Sequence, residues 1–458
     1  MLIVMRKNNL NNIEPHKINR RRNMTIVTLC AVFGVAGGTC ISNNVLSLVA
    51  IKLGAGDIYL GLLAAAFTAP LVLGIFSMKA IEKHGKLKIL IPWTAASTIL
   101  VMLYMLIPKI AQQYRPVYVL SSLFVIQILI NTCAAIGNTA WFPLLQDTTP
   151  TRLTGRFFAR LRTSWQTASI ITVIVISFFL GKNSEWWKFE IIFAAAFILL
   201  TIKFLLLLRI QEKPLAVRHI SDKTIIGRFK EVFQIKQLRY CIIYLACYSF
   251  LAAAPEPFKI KMLKQLHYSS GFILAAISMF GVGAILSLRF WGKLADKFGN
   301  RAIFSISHIG MIVTTILWLI IDNNIFSEIM TFILYFSFGI FHSGNGIAQT
   351  RYVLHSVPDS KQNYINIINF TTFFFISIAP IITGVFLTMT QNVSFSSGAL
   401  NLNNYHLMFI IIGTLFIVPH ILRRNLRAAK ESSTSNVVAF VMRPLRNIFG
   451  PFKRINRK

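Results

Sequence analysis

Twelve long apolar runs dominate this chain and leave it few folds. They lie at 24–51, 58–79, 89–107, 117–140, 164–181, 190–208, 240–258, 271–290, 302–321, 327–349, 364–389 and 405–421. About 20 mostly apolar residues are enough to cross a bilayer as a helix. Lipid offers the backbone no hydrogen-bond partner, so each crossing run must be helical. The first and eleventh runs exceed that length, which predicts tilt or kinks. Charged residues make up 14% of the chain, against about 25% in soluble domains. This composition excludes a soluble enzyme, a disordered chain and a small disulfide scaffold.

The charge balance fixes an orientation. The sequence holds 47 Lys and Arg against 15 Asp and Glu, a net charge of +32. With both ends inside, the segments between runs, together with Lys79 and Arg289 at the inner ends of runs two and eight, place 38 of these basic residues on the inner side and 8 on the outer. Lys203 falls within the sixth run. That bias is the positive-inside pattern, and it supports an even number of crossings. The basic residues form no polar domain, so nucleic acid is excluded as a partner. The first five residues are too short an apolar run for a signal peptide, so the N-terminus is expected to remain cytoplasmic. The five cysteines all lie in apolar stretches, without metal-ligand spacing, and read as packing residues. Lys203 lies near the inner end of its run and reads as a snorkelling lysine.

The chain divides in two. Residues 1–23 form a cytoplasmic N-terminus, 24–208 a first set of six crossings, 209–239 a basic linker, 240–421 a second set of six, and 422–458 a basic tail. Part of the linker, 225–240, suits a basic amphipathic helix on the inner membrane surface. The tail, with Arg423, Arg424, Arg427 and Lys430 beside the last run, suits an anionic leaflet. The halves share landmarks. Glu82-Lys-His-Gly85 after run two matches Asp296-Lys-Phe-Gly299 after run eight, and Gly137-Asn138 late in run four matches Gly344-Asn345 late in run ten. These offsets argue for internal duplication.

The segment Gly292-Lys-Leu-Ala-Asp296-Lys-Phe-Gly299-Asn-Arg301 resembles the G-x-L-a-D-r-x-G-r motif of the major facilitator superfamily. Gly292 would let helices approach closely, Gly299 would permit a tight turn, and Asp296 would sit near a helix N-terminus within reach of a base. The first-half copy, Met78 to Lys86, lacks the leading glycine. After run four, Thr154-Gly155-Arg156-Phe157-Phe158 resembles a second segment of the family, with Thr154 where arginine is usual. The resemblance covers about 24–421. It implies an all-α membrane protein of twelve transmembrane helices in two pseudo-symmetric six-helix bundles. It also implies alternating access about a central site lined by spans 1, 4, 7 and 10, with a charged latch at Gly292, Asp296, Gly299, Arg301 and Arg156.

Polar residues inside spans point to that site. Gln127, Asn131 and Asn138 share one face of span four by their spacing. His342, Asn345 and Gln349 do the same on span ten. Asn43 in span one corresponds, 213 residues on, to Glu256 in span seven, the best candidate for proton coupling. A competing reading sets Glu256 at a kinked helix end beside Lys259 or Lys261. Tyr248 could stack on a ring-shaped substrate. The substrate-binding candidates are therefore Asn43, Gln127, Asn131, Tyr248, His342 and Asn345. No phosphate-binding motif, catalytic constellation or metal spacing occurs, so neither enzyme activity nor a cofactor is expected. The reading is a monomeric secondary transporter of the inner or plasma membrane. Its expected partners are a small organic solute, protons, and anionic lipids at the linker and tail. The runner-up is a non-transporting assembly or delivery factor, or a solute sensor.

Overall fold

The computed structural model describes residues 20–149, 154–212, 225–357, 363–397 and 400–426. The tail beyond 426 and the linker stretch 213–224 lie outside the described residues. Eleven helices among those described are long and apolar enough to cross a membrane: Arg22–Lys52, Lys86–Gln113, Pro116–Thr148, Phe157–Leu180, Trp186–Leu207, Lys236–Gln265, Ser270–Phe298, Asn300–Ile320, Ile325–Ser356, Tyr364–Met389 and Asn404–Asn425. The remaining span, the second in chain order, is the shorter apolar helix Asp57–Leu73. It runs on through Gly74–His84 after a single 3-10 turn at Ala69–Leu73. Pro70 explains that turn, since it removes a backbone donor from the helix. The twelve spans are numbered below in chain order.

Spans one and seven are both broken. Span one stops at Cys40 and resumes as Asn43–Lys52, with Ser42 extended between the pieces. Glycine and asparagine are weak helix formers, and Gly37, Gly38, Asn43 and Asn44 crowd this point. Span seven stops at Ala253 and resumes as Glu256–Gln265, where Pro255 and Pro257 withhold two donors. Asn43 and Glu256, 213 residues apart, are therefore each the first residue of the resumed piece. The starts of spans two and eight, Asp57 and Ser270, keep the same offset. Gly85 and Gly299, 214 apart, both turn the chain with positive φ, 103° and 80°. The duplication read from motifs is thus carried by the helix boundaries. Span eleven, whose length predicts tilt or kinks, is one continuous helix, Asn363–Met389, with Pro380 inside it.

Span two packs on span eleven and span five on span eight, and these contacts join the halves. Within each half, spans one, five and six and spans eight, nine and ten form close groups. The junction needs glycine. A side chain at Gly61 would overlap the Pro380 carbonyl, and one at Gly384 would come within 2.6 Å of the Asp57 carbonyl oxygen. Such small residues let helix backbones meet in a membrane.

Two elements stand beside the twelve spans: a strand pair that was not foreseen, and a helix within the linker stretch 225–240 read as amphipathic. Strands β1 (Ser394–Ser397) and β2 (Leu400–Asn403) form an antiparallel hairpin before span twelve. The Asn403 side chain then caps span twelve by accepting from the Tyr405 and His406 amides. In the linker, Ile225–Gln234 is helical. It rests on the second half through buried Val232 and a 2.9 Å hydrogen bond from Tyr364 to Glu231.

Candidate functional site

The hydrogen bonds between the halves gather toward one end of the molecule, that of the 1–2, 5–6, 7–8 and 11–12 loops. Asp57, which opens span two, pairs with Lys261 of span seven at 2.9 Å and accepts from Tyr405 of span twelve at 3.0 Å. Ser177 donates to the Gly271 carbonyl at 2.7 Å, and the Gly271 amide donates to the Gly181 carbonyl at 3.1 Å. Ser270 and Ser184 bond at 3.1 Å. Nearer mid-span, Ser377 donates to Thr68 at 2.9 Å. The resumed pieces of spans one and seven, Asn43–Lys52 and Glu256–Gln265, also pack on each other here. We call this the sealed end.

Beneath the seal, spans seven, nine and ten hold a polar aromatic cluster. Tyr248 bonds His342 Nδ1 at 3.0 Å and stacks on its ring. Tyr244, one helical turn away, donates to Asn345 Oδ1 at 2.7 Å and meets His308 Nε2 at 2.9 Å. Tyr244, Tyr248, His308 and Asn345 are all buried, and His342 is half-buried. The structure brings together Tyr248, His342 and Asn345; spacing groups only His342 and Asn345, which share span ten. Tyr244 and His308 complete the cluster and were missed. Tyr244 lies on the same face as Tyr248 at helical spacing, a signal that could have found it. His308 stands alone on its helix and carried none.

The first half is arranged differently. Gln127 is buried and turned toward span three, where it accepts a hydrogen bond from Tyr104. Asn131 is half-buried and donates to its own helix at the Gln127 carbonyl, 2.9 Å away. Asn138 is exposed. Spacing on one helix says nothing of which neighbour claims each residue, and Tyr104 claims Gln127. Asn43 is half-buried at the break of span one.

Glu256 at the break of span seven accepts from Lys259 Nζ at 2.7 Å, as the competing reading foresaw. The Lys259 side chain is only 2% exposed, whereas that of Glu256 is 41% exposed. The Lys259 ammonium lies 4.3 Å from the Phe338 ring centre, 5.4 Å from Trp318 and 5.7 Å from Tyr335. Aromatic faces attract a desolvated cation, so these rings accommodate a lysine that water does not reach.

Lys203 departs from the snorkelling expectation. Its backbone carbonyl lies level with Cys30, whose thiol approaches it at 3.8 Å. Its ammonium lies 3.5 Å from where a Gly34 side chain would begin, one turn or about 6 Å deeper along span one. The side chain therefore reaches toward mid-span, through room that Gly34 leaves.

At the opposite end, Asp296 pairs with Arg351 of span ten. Both belong to the second half, so this contact ties spans eight and ten of one bundle. Gly299 makes the expected tight turn, with φ 80°. Gly292 does not make the close approach foreseen for it: a side chain there would meet open space. Arg301 is exposed. Arg156 stands in the first turn of the helix Thr154–Leu180, and its side chain lies outside the described residues. In the first half, Lys86 pairs with Asp147 of span four. Glu212 accepts from the Lys86 and Leu87 amides at 2.7 and 3.0 Å, capping the start of span three.

Two six-helix bundles, joined through spans two and eleven and spans five and eight above a polar cluster, define the fold of a multi-pass membrane transporter of solutes. The sequence matches the family model of the Major Facilitator Superfamily over residues 25–380 and again over 240–451. The chain belongs to this superfamily. Among solved structures, the nucleoside transporter NupG superposes with a TM-score of 0.65 at 13% identity, over 88% of this chain and 99% of that one. The inward open xylose transporter XylE from E. coli gives 0.63 at 14%, over 91% and 98%. A bacterial homologue of the iron transporter ferroportin, in its inward-facing state, gives 0.64 at 12%, over 88% and 98%. At these identities the likeness is one of fold. A search of curated proteins found no match.

Proposed function

We propose that this protein moves a small polar organic solute across the cell membrane by alternating access, in the state closed toward the outside. The observation that carries this reading is the cross-bundle seal at one end, centred on Asp57, Lys261 and Tyr405. The positive-inside count assigns that end to the outer face and both termini to the cytoplasm. Open space at Gly292 fits an inner end that is not closed in this state.

The substrate would meet His342 and Tyr248 on the second half and Asn131 and Asn43 on the first. Gln127 and Asn345 would act behind them, holding Tyr104 and Tyr244. Glu256, the exposed partner of a buried lysine, is the proposed proton-coupling residue. Gly292, Asp296, Gly299, Arg301 and Arg156 would time closure of the inner end. The carrier would act as a monomer in the inner or plasma membrane, with its basic linker and tail on anionic lipid.

The test is a thermal-shift screen of purified protein against nucleosides, sugars, amino acids and organic acids. Counterflow of each stabilising solute in proteoliposomes follows. Saturable counterflow that falls in Tyr248→Phe and His342→Phe is the expected result. No stabilisation and no counterflow across these classes would overturn the reading.

A further inference from the structure

Buried polar atoms without partners mark places where a protein binds water or a ligand. In the second bundle two such atoms lie on neighbouring rings, His308 Nδ1 and His420 Nδ1. The two rings lie edge to face, 6.0 Å between centres. Asn345 Nδ2 and Gln349 Nε2 are also buried and unpartnered.

Hydrogen-bond logic assigns each ring its tautomer. Arginine can only donate, so the 3.1 Å contact of Arg423 Nη2 with His420 Nε2 makes that nitrogen an acceptor. Neutral His420 then carries its proton on Nδ1. Tyr244 spends its single proton on Asn345 Oδ1, so its oxygen accepts from His308, whose proton is therefore on Nε2. His308 Nδ1 is left as a buried lone pair. A buried donor on one ring and a buried acceptor on the next are thus both left without partners.

We propose that a water molecule bound between His420 and His308 completes a proton path. The path leads from the end of span twelve to the Tyr244–Asn345 pair that joins spans seven and ten. The water accepts from His420 Nδ1–H and donates to His308 Nδ1. A solvent proton binds His420 Nε2 as the Arg423 contact breaks. The Nδ1–H bond of His420 then breaks, its proton passes to the water, and the water gives one of its own to His308 Nδ1. His420 ends neutral with its proton on Nε2, and His308 ends as a cation donating from both nitrogens. The groups facing His308 are Tyr244 and Tyr248 of span seven, Phe304 of its own span, Asn345 of span ten, and His420 and Arg423 of span twelve. Arg423 occupies His420 Nε2, so uptake at that nitrogen requires Arg423 to move. Use of this path in solute coupling rests on the transporter reading; the water site does not.

The test is nuclear magnetic resonance of the full chain in lipid nanodiscs with ¹⁵N-labelled histidine rings, His308→Asn and His420→Asn giving the assignments. At about pH 8, above the ordinary histidine range, His420 is expected as the Nδ1–H tautomer and His308 as the Nε2–H tautomer. Both Nδ1 atoms are expected to show cross-peaks to water. His420→Phe is expected to slow proton exchange at His308 by roughly a hundredfold, the scale of a lost proton-transfer group. Opposite tautomers, dry Nδ1 atoms, or unchanged exchange in His420→Phe would overturn the proposal. Should that variant not fold, the tautomers and water contacts of the unsubstituted chain decide the matter. No solute is needed, so failure of the transport assay leaves this result standing.

Discussion

Asp57 and Lys261 form an ion pair that bridges the two bundles at the sealed end, their side chains 12% and 15% exposed. Removing one member of a buried pair leaves the other charge uncompensated, at a cost of about 3–5 kcal/mol. The charge can escape that cost if the end opens and admits water. Asp57→Asn and Lys261→Met are therefore expected to shift the protein toward a state open at that end. Electron–electron distances between spin labels on the 1–2 and 7–8 loops should lengthen in both variants. Distances equal to those of the unsubstituted protein would show that the pair does not hold the seal.

Asn131 and Asn345 should separate under substitution. Asn345 is fully buried and bonded to Tyr244, so Asn345→Ala strands that hydroxyl and costs about 1–3 kcal/mol. Asn131 bonds only its own helix among the described residues, so Asn131→Ala should leave the melting temperature nearly unchanged. Loss of flux in Asn131→Ala at unchanged stability would mark a substrate contact. A melting temperature lowered as far as in Asn345→Ala would make Asn131 a packing residue instead.

Asp296 and Gly292 should affect motion more than stability. The Asp296 side chain is 74% exposed and that of Arg351 is 35% exposed. An exposed pair contributes about 0–1 kcal/mol, so Asp296→Asn should melt within a degree or two of the parent. Gly292→Leu fits the open space seen here and should be equally stable. Both should slow turnover without weakening substrate binding, and Gly292→Leu the more, because its side chain would obstruct closure. Full turnover in Gly292→Leu would mean that nothing closes over this position.

Glu256 and Lys259 should be unequal partners. Lys259→Met keeps the apolar stem among Trp318, Tyr335 and Phe338 and leaves Glu256 where water reaches it. Glu256→Gln leaves a cation sealed from water with a neutral amide oxygen in place of the carboxylate, beside rings worth about 2 kcal/mol when desolvated. Glu256→Gln should therefore lower the melting temperature further than Lys259→Met does. The reverse order would mean that Lys259 is hydrated.

Local chemistry made much of the fold legible. The proline pair around Glu256, the glycines and asparagines around the break before Asn43, and Gly85 and Gly299 act through their own backbone, so their effects show without a neighbour. Apolar length marked the spans, and Asp57–His84 differed from the reading chiefly through the turn at Pro70. The site was legible only where partners shared a helix face. Gln127 and Asn131 have the right spacing, yet Tyr104, on another span, decides where Gln127 points. Lys203 was misread because the room it enters is made by Gly34, 169 positions earlier. His308 and Lys259 owe their surroundings to three or more spans, and no periodicity within one helix reports that.

The breaks at 41–42 and 254–255 bear on how such a carrier flexes. A continuous rod would carry any tilt of its outer end to its inner end. A rod interrupted midway has an elbow, and its upper limb can swing while its lower limb stays put. The upper limbs Asn43–Lys52 and Glu256–Gln265 rest on each other, so the two elbows would bend as a couple. Entry through the sealed end would then need only two short struts to part, with the lower helices holding their grip on the bundles.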